Sequence, residues 1–187
     1  MAQMKFMCDA ERCIECNGCV TACKNANDVE WGIQRRRVVT LNDGEADEMS
    51  ISVACMHCDD APCMAVCPTD CFYKTDDGIV LHDKDLCIGC GYCAVSCPYH
   101  ARTIVKDQNW YYGEETVQEQ AVAQPERIGV AQKCTFCSDR VDSGLARGLK
   151  PGIDPEATPA CSASCTCRWI RRHCSQSLPG SSLSAWR

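Results

Sequence analysis

The sequence is short of the residues from which soluble domains build an interior: Leu, Ile, Val and Phe together number 32 of 187. With a formal net charge of -6, that is too little apolar area to offset backbone ordering at roughly 1–2 kcal/mol per residue, which excludes a conventional hydrophobic core. No run approaches the ~18 apolar residues of a membrane span, so no direct membrane span is expected. The opening segment MAQMKFMCDAERC has no apolar stretch long enough for a secretory signal. Arg35, Arg36 and Arg37 lie too deep in the chain for a twin-arginine signal and are followed by VVTLNDGEADE, so they read as a solvated strand end. A phosphate loop, a Ser/His/Asp arrangement and paired carboxylates are also missing, and no catalytic residue is expected. The negative balance argues against a nucleic-acid partner.

What the sequence has instead is cysteine, at 20 of 187 residues. The expected compartment is the cytoplasm, where stable disulfides are rare, so metal must supply the missing cohesion. Sixteen cysteines fall into four groups. The first is Cys13, Cys16, Cys19 and Cys23 in CIECNGCVTAC; the second is Cys55, Cys58, Cys63 and Cys67 in CMHCDDAPCMAVCP. The third is Cys87, Cys90, Cys93 and Cys97 in CIGCGYCAVSCP, and the fourth is split between CTFC (Cys134, Cys137) and CSASC (Cys161, Cys165). Three thiolates at CxxCxxC spacing cover three corners of a compact cluster on one loop, and the fourth cysteine is expected to begin a helix that carries it to a neighbouring cluster. Zinc is the runner-up, since CxxC pairs are its common unit, but three crowded thiolates followed by CxxxCP fit it poorly. Sixteen ligands with no second-position cysteine missing give four [4Fe-4S] clusters.

Cys55 and Cys87 head two similar motifs about thirty residues apart, an internal ferredoxin-like repeat. Between them, two short strands around Thr75-Asp76-Asp77-Gly78 read as a hairpin. The crossing rule assigns Cys55, Cys58, Cys63 and Cys97 to cluster 2, and Cys87, Cys90, Cys93 and Cys67 to cluster 3. Sequence order does not pair the outer groups, but they are the two that remain. The same exchange gives Cys13, Cys16, Cys19 and Cys165 for cluster 1, and Cys134, Cys137, Cys161 and Cys23 for cluster 4. The expected fold class is α+β, with two ferredoxin-like two-cluster units, one inserted within the other. Residues 1–52 and 125–165 form the outer unit, 53–100 the inner unit, 101–124 an insert and 166–187 an irregular basic tail. Strands are expected around Asn42-Asp43-Gly44, and a helix over SDRVDSGLARG.

These motifs resemble a family. CIECNGCVTACK, CMHCDDAPCMAVCP, DLCIGCGYCAVSCPY and KCTFCSDRVDSGLARGLKPGIDPEATPAC are similar to the four-cluster ferredoxin subunits of molybdenum- and tungsten-dependent oxidoreductases, formate dehydrogenase beta subunits above all, with dimethyl sulfoxide and polysulfide reductase subunits nearby. The resemblance spans about residues 4–165 and implies electron transfer between a molybdenum- or tungsten-pterin catalytic subunit and another redox partner. A flavin- or nicotinamide-linked subunit is expected as well, and a wire exposed at both ends allows end-to-end self-association. A free soluble polyferredoxin is the alternative, and a zinc-binding interaction module the remote one. The tail TCRWIRRHCSQSLPGSSLSAWR departs from the family pattern.

Other features weigh less. Gly89-Cys90-Gly91-Tyr92-Cys93-Ala94 fits GxGxxA formally but spends two cysteines on ligation. His57, His82, His100 and His173 are not needed as ligands, because every cluster already has four thiolates. Cys8 and Cys71 read as small buried residues, and Cys167 and Cys174 as unconstrained. Four oxidised clusters at a formal -2 each would bring the chain to about -14. Arg35 to Arg37, Lys133, Arg140 and Arg147 are then candidate compensating charges.

Overall fold

The computed structural model describes residues 2–107, 109–122, 124–163 and 168–173. Regular elements are short. The first half of the chain runs β1 (Ala2–Met7), α1 (Gly18–Ala26), β2 (Arg36–Leu41), β3 (Met49–Ala54), α2 (Pro62–Ala65), β4 (Phe72–Lys74), β5 (Val80–His82) and α3 (Tyr92–Val95). The second half adds β6 (Thr103–Ile104), α4 (Val117–Val122), β7 (Ala131–Gln132), α5 (Ser138–Ala146), α6 (Ala160–Ala163) and β8 (Arg168–His173). The strands form four antiparallel pairs: β1 with β8, β2 with β3, β4 with β5, and β6 with β7.

The β2–β3 and β4–β5 hairpins lie where the turn residues put them. Asn42 and Gly44 take positive φ in the first. In the second, Thr75 N–H donates to Ile79 O at 2.9 Å and Gly78, at φ 76, closes the turn. The other two ladders join distant segments. β1 pairs with β8 in register from Ala2 opposite His173 to Met7 opposite Arg168. Residues 166–187 were expected to be irregular throughout, yet 168–173 form a strand. An isolated six-residue stretch carries little strand signal, and its ladder partner lies at the other end of the described chain.

The helices also correct an expectation. They begin at or just before the third cysteine of each motif, with Cys19, Cys63 and Cys93 all inside them. Cys23 lies within α1, whereas Cys67 and Cys97 follow the ends of α2 and α3. The helix therefore starts on the ligand loop itself, and in the short cases has ended before the fourth cysteine is reached.

With so few aliphatic residues, the interior is built largely from cysteine. One buried cluster contains Ala54, Cys55, Ile79, Cys134, Phe136 and Val141. A second contains Ala61, Cys63, Cys71, Phe72, Val80, Cys93 and Ala131. A third contains Cys19, Val20, Cys23 and Cys161, with Phe6 and Val38 packed against it.

Helix α5 seats against the 3-10 turn Pro155–Ala157 through Gly144, where a Cβ would fall 2.5 Å from Ala157 Cβ and 2.7 Å from its Cα. This close approach positions Cys137, which precedes α5, relative to Cys161 just beyond the turn. Gly144→Ala is expected to cost about 1–3 kcal/mol by overpacking, measured as a lowered midpoint in anaerobic thermal unfolding. An unchanged midpoint would mean that this seating does not hold the segment.

Candidate iron-sulfur centres

The four CxxC loops share one backbone device. Glu15, His57, Gly89 and Phe136 each precede the second cysteine of their motif, and each has positive φ, at 55°, 45°, 67° and 55°. A left-handed residue at that point turns successive backbone N–H groups toward one side of the loop, a concavity that suits anions, iron-sulfur centres among them. Three of the four are not glycine, and each such residue costs roughly 1–2 kcal/mol relative to ordinary backbone. Gly89 has a further reason to lack a side chain, since a Cβ there would lie 2.0 Å from Gly129 O.

The described cysteines come together across motifs. Cys23 feels Cys134 and Cys137, and burial ahead of those neighbours pushes its thiol up to about 12. Cys161, driven by burial to about 12 as well, feels Cys134, Cys23 and Cys137. Asn27 Nδ2 approaches Cys23 Sγ at 3.9 Å and Cys137 Sγ at 3.8 Å. In the inner region, burial raises Cys58, and Cys55, Cys63 and Cys97 are its thiol neighbours. Cys67, Cys87, Cys90 and Cys93 line a single small cavity together with Cys71 and Phe72. Cys13, Cys16 and Cys19 share the first loop; Cys165, Cys167 and Cys174 lie outside the described residues. Among the described residues, no three His, Cys, Asp or Glu side chains are grouped as ligands of a single ion would be.

N–H and O–H donors reach the sulfurs. Ala101 N–H donates to Cys97 Sγ at 3.5 Å, Ala131 N–H to Cys87 Sγ at 3.5 Å, and Phe136 N–H to Cys134 Sγ at 3.4 Å. Ser52 Oγ lies 3.2 Å from Cys19 Sγ. The strongest contact is Arg102, whose two terminal nitrogens donate to Cys55 Sγ at 3.2 Å and Cys63 Sγ at 2.9 Å. Burial alone would raise Cys55, but Lys133 and Arg102 bring its thiol below the ordinary value.

Three cations are buried here: Arg36, Arg102 and Lys133 are 2%, 7% and 1% exposed. Among the described residues none of them pairs with a carboxylate, whereas buried Arg127 meets Glu30 at 3.8 Å. The neighbours that could balance them are cysteine sulfurs. Nε of both Arg36 and Arg102 is buried without an acceptor. An unpaired buried charge is too costly to keep unless something anionic sits beside it. Thiolates, and inorganic sulfides held between them, are acceptors of the required kind, so this donor set fits [4Fe-4S] clusters.

Of the compensating charges expected from sequence, Arg36 and Lys133 are placed among the sulfurs, and Arg35 also acts on the Cys23 thiol. Arg37 instead binds the Tyr99 and His100 carbonyls at 2.7 and 3.0 Å. Arg35 donates to Asn27 Oδ1 and Gln132 Oε1, Arg140 to Pro155 O, and Arg147 pairs with Glu156 at the surface. Arg102 was missed; its one signal was its place five residues after Cys97, on the loop that follows the third motif.

His57 and His82 have packing roles, His82 tilted against Phe72 with ring centres 5.6 Å apart. His57 accepts a 3.0 Å hydrogen bond from Val80 N–H at Nδ1 and stacks on Phe136, ring centres 4.1 Å apart. Cys71 is buried with its Sγ 3.4 Å from Cys67 Sγ, and Cys8 Sγ accepts Ser52 N–H at 3.3 Å. In the insert, Trp110 and Tyr111 flank a surface pocket beside α1 with Trp31, which meets Tyr111 edge-on at 6.3 Å.

A 4Fe-4S dicluster domain model matches residues 46–113. The formate dehydrogenase iron-sulfur subunit of Wolinella succinogenes is 51% identical over 138 residues, covering 73% of this chain and 62% of that protein. The thiosulfate reductase electron transfer subunit of Salmonella typhi is 38% identical over 154 residues, covering 80% of this chain and 68% of that one. This chain belongs to the iron-sulfur electron-transfer subunits of molybdenum oxidoreductases. Within that family the arsenate respiratory reductase iron-sulfur subunit of a Shewanella species is 30% identical over 174 residues, covering 76% of this chain and 74% of its own length. The chain spans about three fifths of the length of the Wolinella subunit. Among the described residues, no helix is long and apolar enough to cross a membrane.

The positive field around Lys133 and Arg102 is open to a test on His82. Burial first, then Lys133 and Arg102, push its pKa from 6.5 down to about 4. An unfolded chain takes up this proton below pH 6.5, and the folded chain only below about 4. The stability contributed by neutral His82 is therefore complete above pH 6.5 and is lost as the pH falls toward 4. His82→Phe is expected to flatten the dependence of unfolding midpoint on pH between 7.5 and 5; an unchanged slope would count against a proton-repelling interior.

Proposed function

We propose that this chain is a non-catalytic electron-transfer subunit that carries electrons through four [4Fe-4S] clusters between a molybdenum- or tungsten-pterin catalytic subunit and another redox protein. The observation that carries this reading is the left-handed residue repeated before the second cysteine of all four CxxC loops. It makes the split fourth motif, the weakest in sequence, the backbone equal of the other three. The names of the relatives support the partner class, since they belong to a formate dehydrogenase and to thiosulfate and arsenate reductases.

The ligand sets follow the crossed scheme: Cys13, Cys16, Cys19 and Cys165 for cluster 1; Cys55, Cys58, Cys63 and Cys97 for cluster 2; Cys87, Cys90, Cys93 and Cys67 for cluster 3; Cys134, Cys137, Cys161 and Cys23 for cluster 4. The grouping of Cys23 with the fourth-motif thiols supports the outer exchange, and that of Cys97 with Cys58 the inner one. The nested arrangement, residues 53–100 inside 1–52 and 125–165, follows from the same pairings. When bound, each cluster supplies a one-electron couple. The chain's own residues hold it by thiolate, donate N–H groups to its sulfurs and exclude water from it with the three cysteine-rich cores.

Those cores also support an order for the clusters. Cys19 packs with Cys23 and Cys161, Cys134 with Cys55, and Cys63 with Cys93. These contacts support the order 1–4–2–3, with cluster 1 at one end and cluster 3 at the other. Among the described cysteines, the exposed ones are Cys16 and Cys90, one at each end. Leu86, Ile88, Tyr92 and Val95 surround Cys90 with exposed apolar surface, suited to a dry, lasting subunit contact. Near Cys16 the surface carries Glu11, Glu15, Asp47 and Glu48, suited to a basic partner. A flavin- or nicotinamide-linked subunit would dock at one of these ends, and stacking of two copies end to end would use the same surfaces. The reading keeps the chain in the cytoplasm, where its free thiols stay reduced before metal is loaded.

Cys23→Ser is expected to abolish the electron paramagnetic resonance signal of the cluster held by Cys134, Cys137 and Cys161, leaving that of Cys13, Cys16 and Cys19; the reverse pattern would overturn the outer exchange. Anaerobic purification of the native complex is expected to bring down a pterin-containing subunit together with about sixteen irons per chain. Its formate or aldehyde substrate should reduce the clusters. A chain that emerges alone, with clusters no partner reduces, would instead be a free ferredoxin.

A further inference from the structure

Arg36, Lys133 and Arg102 are not scattered among the cysteines. Arg36 lies over the Phe6 ring at 3.7 Å and donates to Ser52 Oγ at 2.9 Å, the same oxygen that meets Cys19 Sγ at 3.2 Å. Its other sulfur neighbours are Cys161, Cys134 and Cys23. It thus stands between the cysteines of cluster 1 and those of cluster 4. Lys133 donates to the carbonyls of Val80 and Cys134, and its sulfur neighbours are Cys55, Cys134 and Cys63. That is the gap between clusters 4 and 2. Arg102 binds Cys55 and Cys63 directly and also faces Cys93, which is the gap between clusters 2 and 3. Each gap coincides with one of the three buried cores, and among the described residues none of the three cations pairs with a carboxylate.

We propose that these three cations set the potentials of the wire, one in each gap, each favouring the reduced form of the two clusters that flank it and damping the repulsion between them. The proposal rests on the four-cluster reading and deepens it. Each cubane accepts one electron with no bond made or broken, passing from a formal -2 to -3, so an electron on one cluster opposes reduction of the next. A fixed positive charge in the gap acts on both neighbours with the same sign. Because it is buried, solvent and salt screen it far less than they screen a surface arginine. Arg102 acts most strongly on cluster 2, because it also donates two hydrogen bonds to that cluster's thiolates, and hydrogen bonds to sulfur raise cluster potentials. Arg36 reaches cluster 1 through Ser52 and acts there more gently.

The test is an anaerobic redox titration of the full, loaded chain with dithionite, with the clusters resolved by electron paramagnetic resonance. Arg102→Met is expected to lower the potentials of clusters 2 and 3 while leaving 1 and 4 near their original values. The expected change for cluster 2 is at least tenfold in its reduction equilibrium, which for one electron is about 59 mV. Lys133→Met should lower clusters 4 and 2, and Arg36→Met clusters 1 and 4. Arg147→Met, at the surface, should move none. Arg102→Lys keeps the charge and should restore most of the shift.

If Arg102→Met does not load fully, the deficit is read cluster by cluster. Loss confined to clusters 2 and 3, and repaired in Arg102→Lys, agrees with the proposal; loss spread over all four, or unrepaired, overturns it. Potentials that stay in place in loaded variants also overturn it and leave the electron-transfer reading intact. A wild-type chain that takes up no [4Fe-4S] clusters would instead defeat the underlying reading.

Discussion

Positive charge buried against sulfur is the constraint on which the rest of this structure depends. A guanidinium or ammonium group removed from water needs an anion close by, and here the described surroundings offer cysteine where most proteins offer carboxylates. Thiols at ordinary pKa cannot meet that need at neutral pH, and several of these are pushed upward by desolvation. Cation and sulfur therefore stabilise each other only when the sulfur is held as thiolate, which is what bound metal does. Cysteine serves at once as apolar filling, as ligand and as counter-charge, and a chain with so few aliphatic residues can keep an interior for that reason.

Much of this was legible in the sequence because cluster ligation imposes spacing, and spacing survives in one dimension. The CxxC periods, the Asp-Gly turn before β5, the β2–β3 hairpin and helix α5 all follow from local rules. The loops' shared left-handed residue was not legible. Gly89 announces it, but Glu15, His57 and Phe136 take the same conformation with side chains that ordinarily avoid it. Nor could sequence separate the arginines that enter the interior from those that do not. Arg35, Arg36 and Arg37 are consecutive, and only the pleat of β2 sends Arg36 inward while its neighbours reach Gln132 and the carbonyls beyond Cys97. Strand β8 was invisible because its partner lies so far away in the sequence.

The repeated loops also touch one another at equivalent points. His57 and Phe136 occupy the same position in the second and fourth motifs, and they stack face to face. Asp70 and His100, each three residues after the last cysteine of its motif, both take positive φ. Beyond them, Cys71 corresponds to Ala101, whose N–H reaches Cys97 Sγ. Cys71 is thus a small residue at a place where the repeat calls for one, which accounts for a buried cysteine outside the four motifs.

The pairing of β1 with β8 has a consequence for how the molecule comes together. Local hairpins such as β4–β5 can form as soon as a few residues meet, because little chain entropy is lost in closing them. The ladder that sets Ala2 opposite His173 encloses nearly everything else and can close only after the intervening chain has collapsed. Helices α1 and α6 pack under the same delay. The segments that this ladder and helix pair hold together are completed last, so a partly folded molecule would offer the first loop's thiols to solvent longest, and oxidation before metal arrives would strike there first.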